Sequence, residues 1–213
     1  MPRPAKTLLI GLLAIAAVVL SVTGYGAADE VNDRPKTLEH EAEIAALLDS
    51  AGWVAPGLSK DKVLYMVSWQ SCPPCLVYER DEFPKLHAAG VDTRVIVYAR
   101  ATSSTPQERA GVAELWKNRS WELWKQFVHV PTSAWTAEGL PPDTVPERSA
   151  LVAKSQDFAD KMRVLMSENG IGTREHLNLP TLIWRGKDGH LRGCGCEQVE
   201  THKYVLEELG AAS

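Results

Sequence analysis

Apolar positions along the chain change their spacing several times, and each change predicts an element. Leu8 to Val22 is almost unbroken apolar sequence, inside an uncharged stretch from Thr7 to Ala28. Further on, Ile44, Leu47, Leu48 and Ala51 recur at helical spacing. They predict a helix capped by Thr37 and stopped at Gly52. Lys62–Trp69 is short and rich in β-formers, which predicts a buried strand. A helix is expected from near Pro73 to about Ala89, with Gly90 as terminator and Pro84 kinking or shortening it. Asp92–Tyr98 predicts a second strand.

From Arg100 to Thr173 the period is helical. Thr105-Pro106-Gln107-Glu108 combines an N-cap, a proline at the first helical position and a glutamate at the third. Ser120 is placed to cap a short helix carrying Trp121 and Trp124. The four prolines between Pro131 and Pro146 predict a loop. A long helix, about Glu147 to Asn169, brings Leu151, Phe158, Met162, Leu165 and Met166 toward one face. Thr181–Trp184 and His190–Gly193 flank Gly186-Lys187-Asp188-Gly189 and predict an antiparallel hairpin. Glu197–Leu209 then predicts an amphipathic helix with Val199, Val205, Leu206 and Leu209 as its apolar positions. The order of strand, helix, strand, helical block, hairpin and helix defines an α/β class with a helical insertion between two halves.

Charge and targeting narrow the function classes. A net charge of −4 does not supply the basic footprint of a nucleic-acid binder. Arg3 and Lys6 ahead of the apolar stretch form the pattern of an export signal, and Gly26-Ala27-Ala28 suits cleavage before Asp29. The same stretch is nearly long enough to serve as an uncleaved membrane anchor. Residues 1–28 are therefore expected to be a signal peptide or anchor, and residues 29–61 a linker and helix. Either reading sends the remainder to the periplasm or another extracytoplasmic space.

Export changes the meaning of the four cysteines, because disulfides form and persist outside the cytoplasm. They fall in two close pairs, Cys72-Pro73-Pro74-Cys75 and Cys194-Gly195-Cys196. A strand running into C-x-x-C at a helix start puts a thiol where free N–H groups and the helix dipole favour an anion. The thiolate is the reactive form. Cys72, at the tip, is expected to attack, and Cys75, a turn further in and better shielded, to resolve the mixed disulfide. Pro73 and Pro74 offer no N–H to the Cys72 sulfur, so only moderate stabilisation of its thiolate and a modest redox potential are expected. Thiols carry this chemistry alone, so no cofactor and no metal is expected. The same residues also allow a structural disulfide, a four-thiolate zinc site, or a copper(I)-binding chaperone. A peptide-binding module with an inert disulfide is a further alternative.

The strand–CPPC–helix unit followed by Asn178-Leu179-Pro180-Thr181 before a hairpin resembles the thioredoxin fold. The long helical insertion, about 100–175, is similar to that of periplasmic thiol:disulfide interchange proteins of the DsbC/DsbG type. The likeness covers about Leu64 to Leu209, the catalytic domain only, within a domain read as 62–210. Residues 29–61 are shorter than the dimerisation domain of that type, so the resemblance does not carry isomerase activity over. It implies that Pro180 is a cis-proline beside the cysteines, and that Leu179 and Pro180 hold an extended substrate strand. It also implies partners that are protein thiols or disulfides, and a membrane redox partner fits the anchor reading. Where thioredoxin itself carries a buried carboxylate, six residues before the first cysteine, this chain has Met66; Ser71 replaces the tryptophan that thioredoxins place immediately before theirs.

The hairpin returns toward the end of the sheet it left, which puts Cys194 and Cys196 near the first pair. They are expected either to exchange with Cys72 as a second redox pair or to form a local disulfide or free thiols beside the substrate groove. The six histidines show no ligand spacing, and Trp116, Trp121 and Trp124 read as core of the insertion.

Overall fold

A computed structural model describes residues 34–211; the export segment expected at 1–28 and the start of the linker lie outside the described residues. The protein is an α/β structure. Strands β1 (Lys36–Thr37), β2 (Val63–Ser68), β3 (Asp92–Val97), β4 (Thr181–Arg185) and β5 (Leu191–Gly195) form one sheet in the order β1-β5-β4-β2-β3. β2 and β3 are parallel, whereas β4 runs antiparallel to both β2 and β5. The helices are α1 (Glu41–Ser50), α2 (Pro73–Ala88), α3 (Pro106–Asn118), α4 (Trp121–His129), α5 (Pro146–Glu168) and α6 (His202–Glu208). Among the described residues, no helix is long and apolar enough to cross a membrane.

Strand alternation sorts the two faces of the sheet. On β5, Arg192 lies on the same face as Cys194 and binds Glu208 of α6 at 2.8 Å. Trp184, opposite Arg192 on β4, donates to the same carboxylate at 3.1 Å. Helix α2 packs beside α6 there, through the Tyr78 and His202 rings at 4.6 Å. On the opposite face, Gly193 lies beneath Leu38, and Gly195 beneath Ile171 and Asn178. These two glycines let the α5-side connections approach the strand closely. A Cβ on Gly195 would stand 2.6 Å from the Asn178 Cβ.

The helical block lies between β3 and β4. Helix α3 begins as its sequence dictates, with Thr105 Oγ1 accepting from the Glu108 N–H at 3.0 Å. Ser120 Oγ caps α4 in the same way, from the Leu123 N–H at 3.1 Å. Helices α3 and α5 meet through Trp116 and Phe158, whose rings cross nearly edge to face at 6.1 Å. Trp121 and Trp124 stack at 4.3 Å, and Phe83 packs on Trp124 at 6.1 Å, which holds α4 on α2. Gly111 makes the α3–α4 contact close, since a Cβ there would sit 2.4 Å from a Phe127 ring carbon. Gly111→Ala should destabilise the fold by about 1–3 kcal/mol, the usual cost of overpacking. A denaturant melt checks this.

Several expected boundaries shift. Thr37 does not cap α1: Lys36–Thr37 adds to β5 as an outer strand, and His40 in the left-handed region precedes the helix instead. The pairing covers part of the β5 edge, and Arg192 Nη1 donates to Thr37 Oγ1 at 2.5 Å. Pro84 does not shorten α2, which runs on to Ala88. Val199 is not a core position of the last helix but stands 52 % exposed in a short 3-10 turn preceding α6. Chain 36–50 joins the sheet and α5, with the Glu39 N–H donating to Asn169 Oδ1 at 2.6 Å.

Glu108 is fully buried on α3, 3.7 Å from Arg100. Burial pushes its carboxyl above the usual range, outweighing Ser104 and Arg100, which pull it down. A raised folded value means that the native state holds the proton more tightly. The resulting stability is complete below the unfolded value and is lost as pH rises through the folded one. Glu108→Gln should therefore raise Tm at about pH 7, with the gain vanishing near about pH 4. Calorimetry at the two pH values checks it.

Candidate active site

Cys72 lies just beyond the C-terminal end of β2, an interior strand paired with β3 and β4. It is the N-cap residue of α2, with extended backbone (φ −63°, ψ 110°). The sequence enforces this position. Pro73 and Pro74 occupy the first two helical positions, where a missing N–H costs nothing. The Leu76 N–H donates to the Cys72 carbonyl at 3.0 Å. The Cys75 N–H is then the first-turn donor left to serve the Cys72 sulfur. Cys72 and Cys75 are joined as a disulfide, with Cα atoms 5.3 Å apart.

The expectation that Cys75 is the better shielded of the two is not met. Cys72 is 2 % exposed and Cys75 3 %. The turn before Cys72 is tied down by the end of α4. Ser71 Oγ donates to the Val130 carbonyl at 2.8 Å, and Gln70 Nε2 to the Phe127 carbonyl at 3.1 Å. Ser71 takes the left-handed conformation, φ 55°, and Gln70 is fully buried. Trp69, at the start of this turn, lies under the Arg100 guanidinium at 4.1 Å. The helical insertion is thus fastened to the cysteine turn and narrows access to it.

Register brings the other candidates to the same end of the sheet. Val67 pairs with Thr181, and Thr181 with Gly195. The end of β2, the start of β4 and the end of β5 are therefore adjacent. Leu179 and Pro180, joined by a cis peptide, immediately precede β4, and both are buried. Strand β4 is paired on both sides, so the Asn178–Pro180 segment is the part of this turn that lies outside the ladder. Cys194 stands in β5 opposite Leu182, which in turn stands opposite Met66. Cys194 and Cys196 form a second disulfide, with Cα atoms 5.2 Å apart, and both are fully buried. Of the readings open for this pair, free thiols are not what the structure contains.

A polar cluster under α2 escaped sequence reasoning. His202 Nε2 donates to the Cys196 carbonyl at 3.2 Å, and its Nδ1 lies 3.4 Å from Glu82 Oε1. Lys85 Nζ donates to the other Glu82 oxygen at 2.7 Å. Glu82 and His202 are both buried, 120 positions apart in sequence. Tyr78 packs edge-on to His202, and its hydroxyl is buried without a hydrogen-bond partner. Burial first, and then the Glu82 charge, push the Tyr78 phenol well above its ordinary value, so it is a donor at any working pH. One turn after Cys75, Glu79 binds His129 at 3.1 Å. Burial pushes the Glu79 carboxyl up, against the pull of His129.

Among the described residues, no three His, Cys, Asp or Glu side chains converge on a metal-binding geometry. No family model matches the chain, and a search of curated proteins finds no match.

Proposed function

We propose that the protein is a thioredoxin-like thiol-disulfide oxidoreductase that acts outside the cytoplasm on protein thiols and disulfides. The observation that carries this reading is the Cys72–Cys75 disulfide at the α2 N-cap, directly after the interior strand β2. A helix N-terminus favours the thiolate, which is the form that attacks. The sheet supports the fold assignment, with a parallel β2–β3 pair followed, after the helical block, by an antiparallel hairpin. The buried Leu179–Pro180 turn next to the end of β2 supports a place for an extended substrate segment.

In the reducing direction, the Cys72 thiolate attacks one sulfur of a substrate disulfide. The substrate S–S bond breaks, a Cys72–substrate bond forms, and one substrate thiolate leaves. The Cys75 thiolate then attacks the Cys72 sulfur and expels the second substrate thiolate. The substrate gains two electrons and the protein returns to the disulfide. The oxidising direction is the same path reversed. The Pro-Pro linker favours reduction or electron relay, whereas an oxidising compartment favours oxidation. The apolar stretch 7–28 serves as export signal or anchor, and a membrane redox partner would reset the pair.

Insulin reduction by dithiothreitol tests the reading. The chain should shorten the lag before insulin precipitates. A lag identical to that without protein counts against it.

A further inference from the structure

We propose that Cys194–Cys196 is a second redox-active pair, which exchanges electrons internally with Cys72–Cys75. This rests on the reading of Cys72–Cys75 as the pair that meets substrate. Three observations carry it beyond that reading. First, the two disulfides share one end and one face of the sheet. Cys194 lies on the face covered by α2 and α6, in a row with Leu182 and Met66 that leads to β2, the strand that feeds Cys72. Second, the helix that carries Cys75 packs onto the residue that holds Cys196. Tyr78 is one helical turn from Cys75 on the buried face of α2; its ring meets His202 at 4.6 Å, and His202 holds the Cys196 carbonyl at 3.2 Å. Third, the second pair has no exposed surface, whereas Cys72 and Cys75 keep 2 % and 3 %, so of the two pairs it is Cys72–Cys75 that reaches solvent; Cys196 follows Gly195, the last residue of β5 and the partner of Thr181. The cysteine turn preceding α2 is the protein's own thiol source at that position.

The step balances. A substrate dithiol first reduces Cys72–Cys75 and is itself oxidised. One of the two released thiolates attacks the Cys194–Cys196 bond, forming a transient internal mixed disulfide and freeing one distal thiolate. The remaining proximal thiolate attacks that mixed disulfide. Cys72–Cys75 is restored, and Cys194 and Cys196 leave as the dithiol, having received two electrons and the two thiol protons. The restored Cys72–Cys75 disulfide is then ready for a second turn, and the protein stores four electrons when fully reduced.

The test uses the full oxidised chain and one equivalent of dithiothreitol, followed by acid quench, alkylation and peptide mass spectrometry. Label should appear first on Cys72 and Cys75, then on Cys194 and Cys196, at a rate unchanged over about a tenfold range of protein concentration, as an intramolecular step requires. In a Cys72→Ser/Cys75→Ser variant, reduction of the distal pair by excess dithiothreitol should slow by at least about tenfold, because a buried disulfide is then reached only from solvent. If that variant does not fold, the wild-type time course decides alone. A distal pair that stays oxidised, or a redistribution rate proportional to protein concentration, overturns the relay. Insulin reduction separates the two readings. Catalysis with an inert distal pair removes only the relay, whereas a chain that neither reduces insulin nor opens Cys72–Cys75 removes the reading beneath it.

Discussion

Cys72→Ser is expected to return insulin reduction to the uncatalysed rate, while Cys75→Ser retains the attack and loses the release. The asymmetry follows from position. Cys72 is the N-cap residue of α2, so a thiolate formed there is the one that the positive end of the helix favours. Cys75 lies inside the first turn, where its sulfur is placed to attack the Cys72 sulfur from the protein side. Without Cys75 the mixed disulfide has no internal exit and accumulates. Turnover of both variants under dithiothreitol, with non-reducing electrophoresis of the products, checks the pair. Equal residual activity in the two variants would contradict the assignment of roles.

Glu114→Ala should cost about 3–5 kcal/mol of folding free energy, the range for a buried charge stripped of its partner. Arg148 on α5 is buried. Its Nη1 donates to Glu114 Oε2 at 2.5 Å, and its Nη2 to the Ala110 carbonyl at 2.7 Å. A guanidinium cannot shed its charge to escape. Burial by itself would raise the Glu114 carboxyl, but the hydrogen bonds from Arg148 and Asn118 outweigh it and hold the carboxyl below its ordinary value. A depressed folded value gives stability that is present above the unfolded value and lost as pH falls through the folded one. The gap between wild type and Glu114→Ala should therefore be full near neutral pH and shrink in acid. Chemical denaturation at neutral and acidic pH reads both effects.

The elements that the sequence predicts correctly are those with local signals. Thr105 and Ser120 are caps in sequence and in structure, because capping needs only three residues of reach. The hairpin turn at Gly186–Gly189 is equally local, with Gly189 at φ 83°. What depends on distant partners is not legible. The two residues of β1 have no strand period of their own; they are a strand because β5 has a free edge beside them. Thr37 reads as a cap for the same reason: its hydroxyl fits that role locally, but Arg192 claims it across 155 positions.

The site divides along the same line. Cys72 and Cys75 stand out by spacing, Pro180 enters only through the resemblance, and hairpin topology alone suffices to bring Cys194 to the same end of the sheet. The near-equal burial of Cys72 and Cys75 is not legible, because it depends on Ser71 and Gln70 reaching carbonyls 57 to 60 positions away. Nor is the Glu82–His202 pair, since one carboxylate on a helix and one histidine near the terminus carry no pattern until the fold brings them together. Met66 is a buried apolar side chain where thioredoxin carries a carboxylate, while the buried Glu82 and His202 stand on α2 and α6.

The central claim, that Cys72 is a nucleophile toward protein disulfides, is tested most directly by mixing reduced Cys75→Ser with a disulfide-containing peptide. Intact-mass spectrometry should show one peptide added per chain, mapped to Cys72 after digestion and released by dithiothreitol. A chain that gains no peptide, or gains it only at Cys194 or Cys196, would contradict the account.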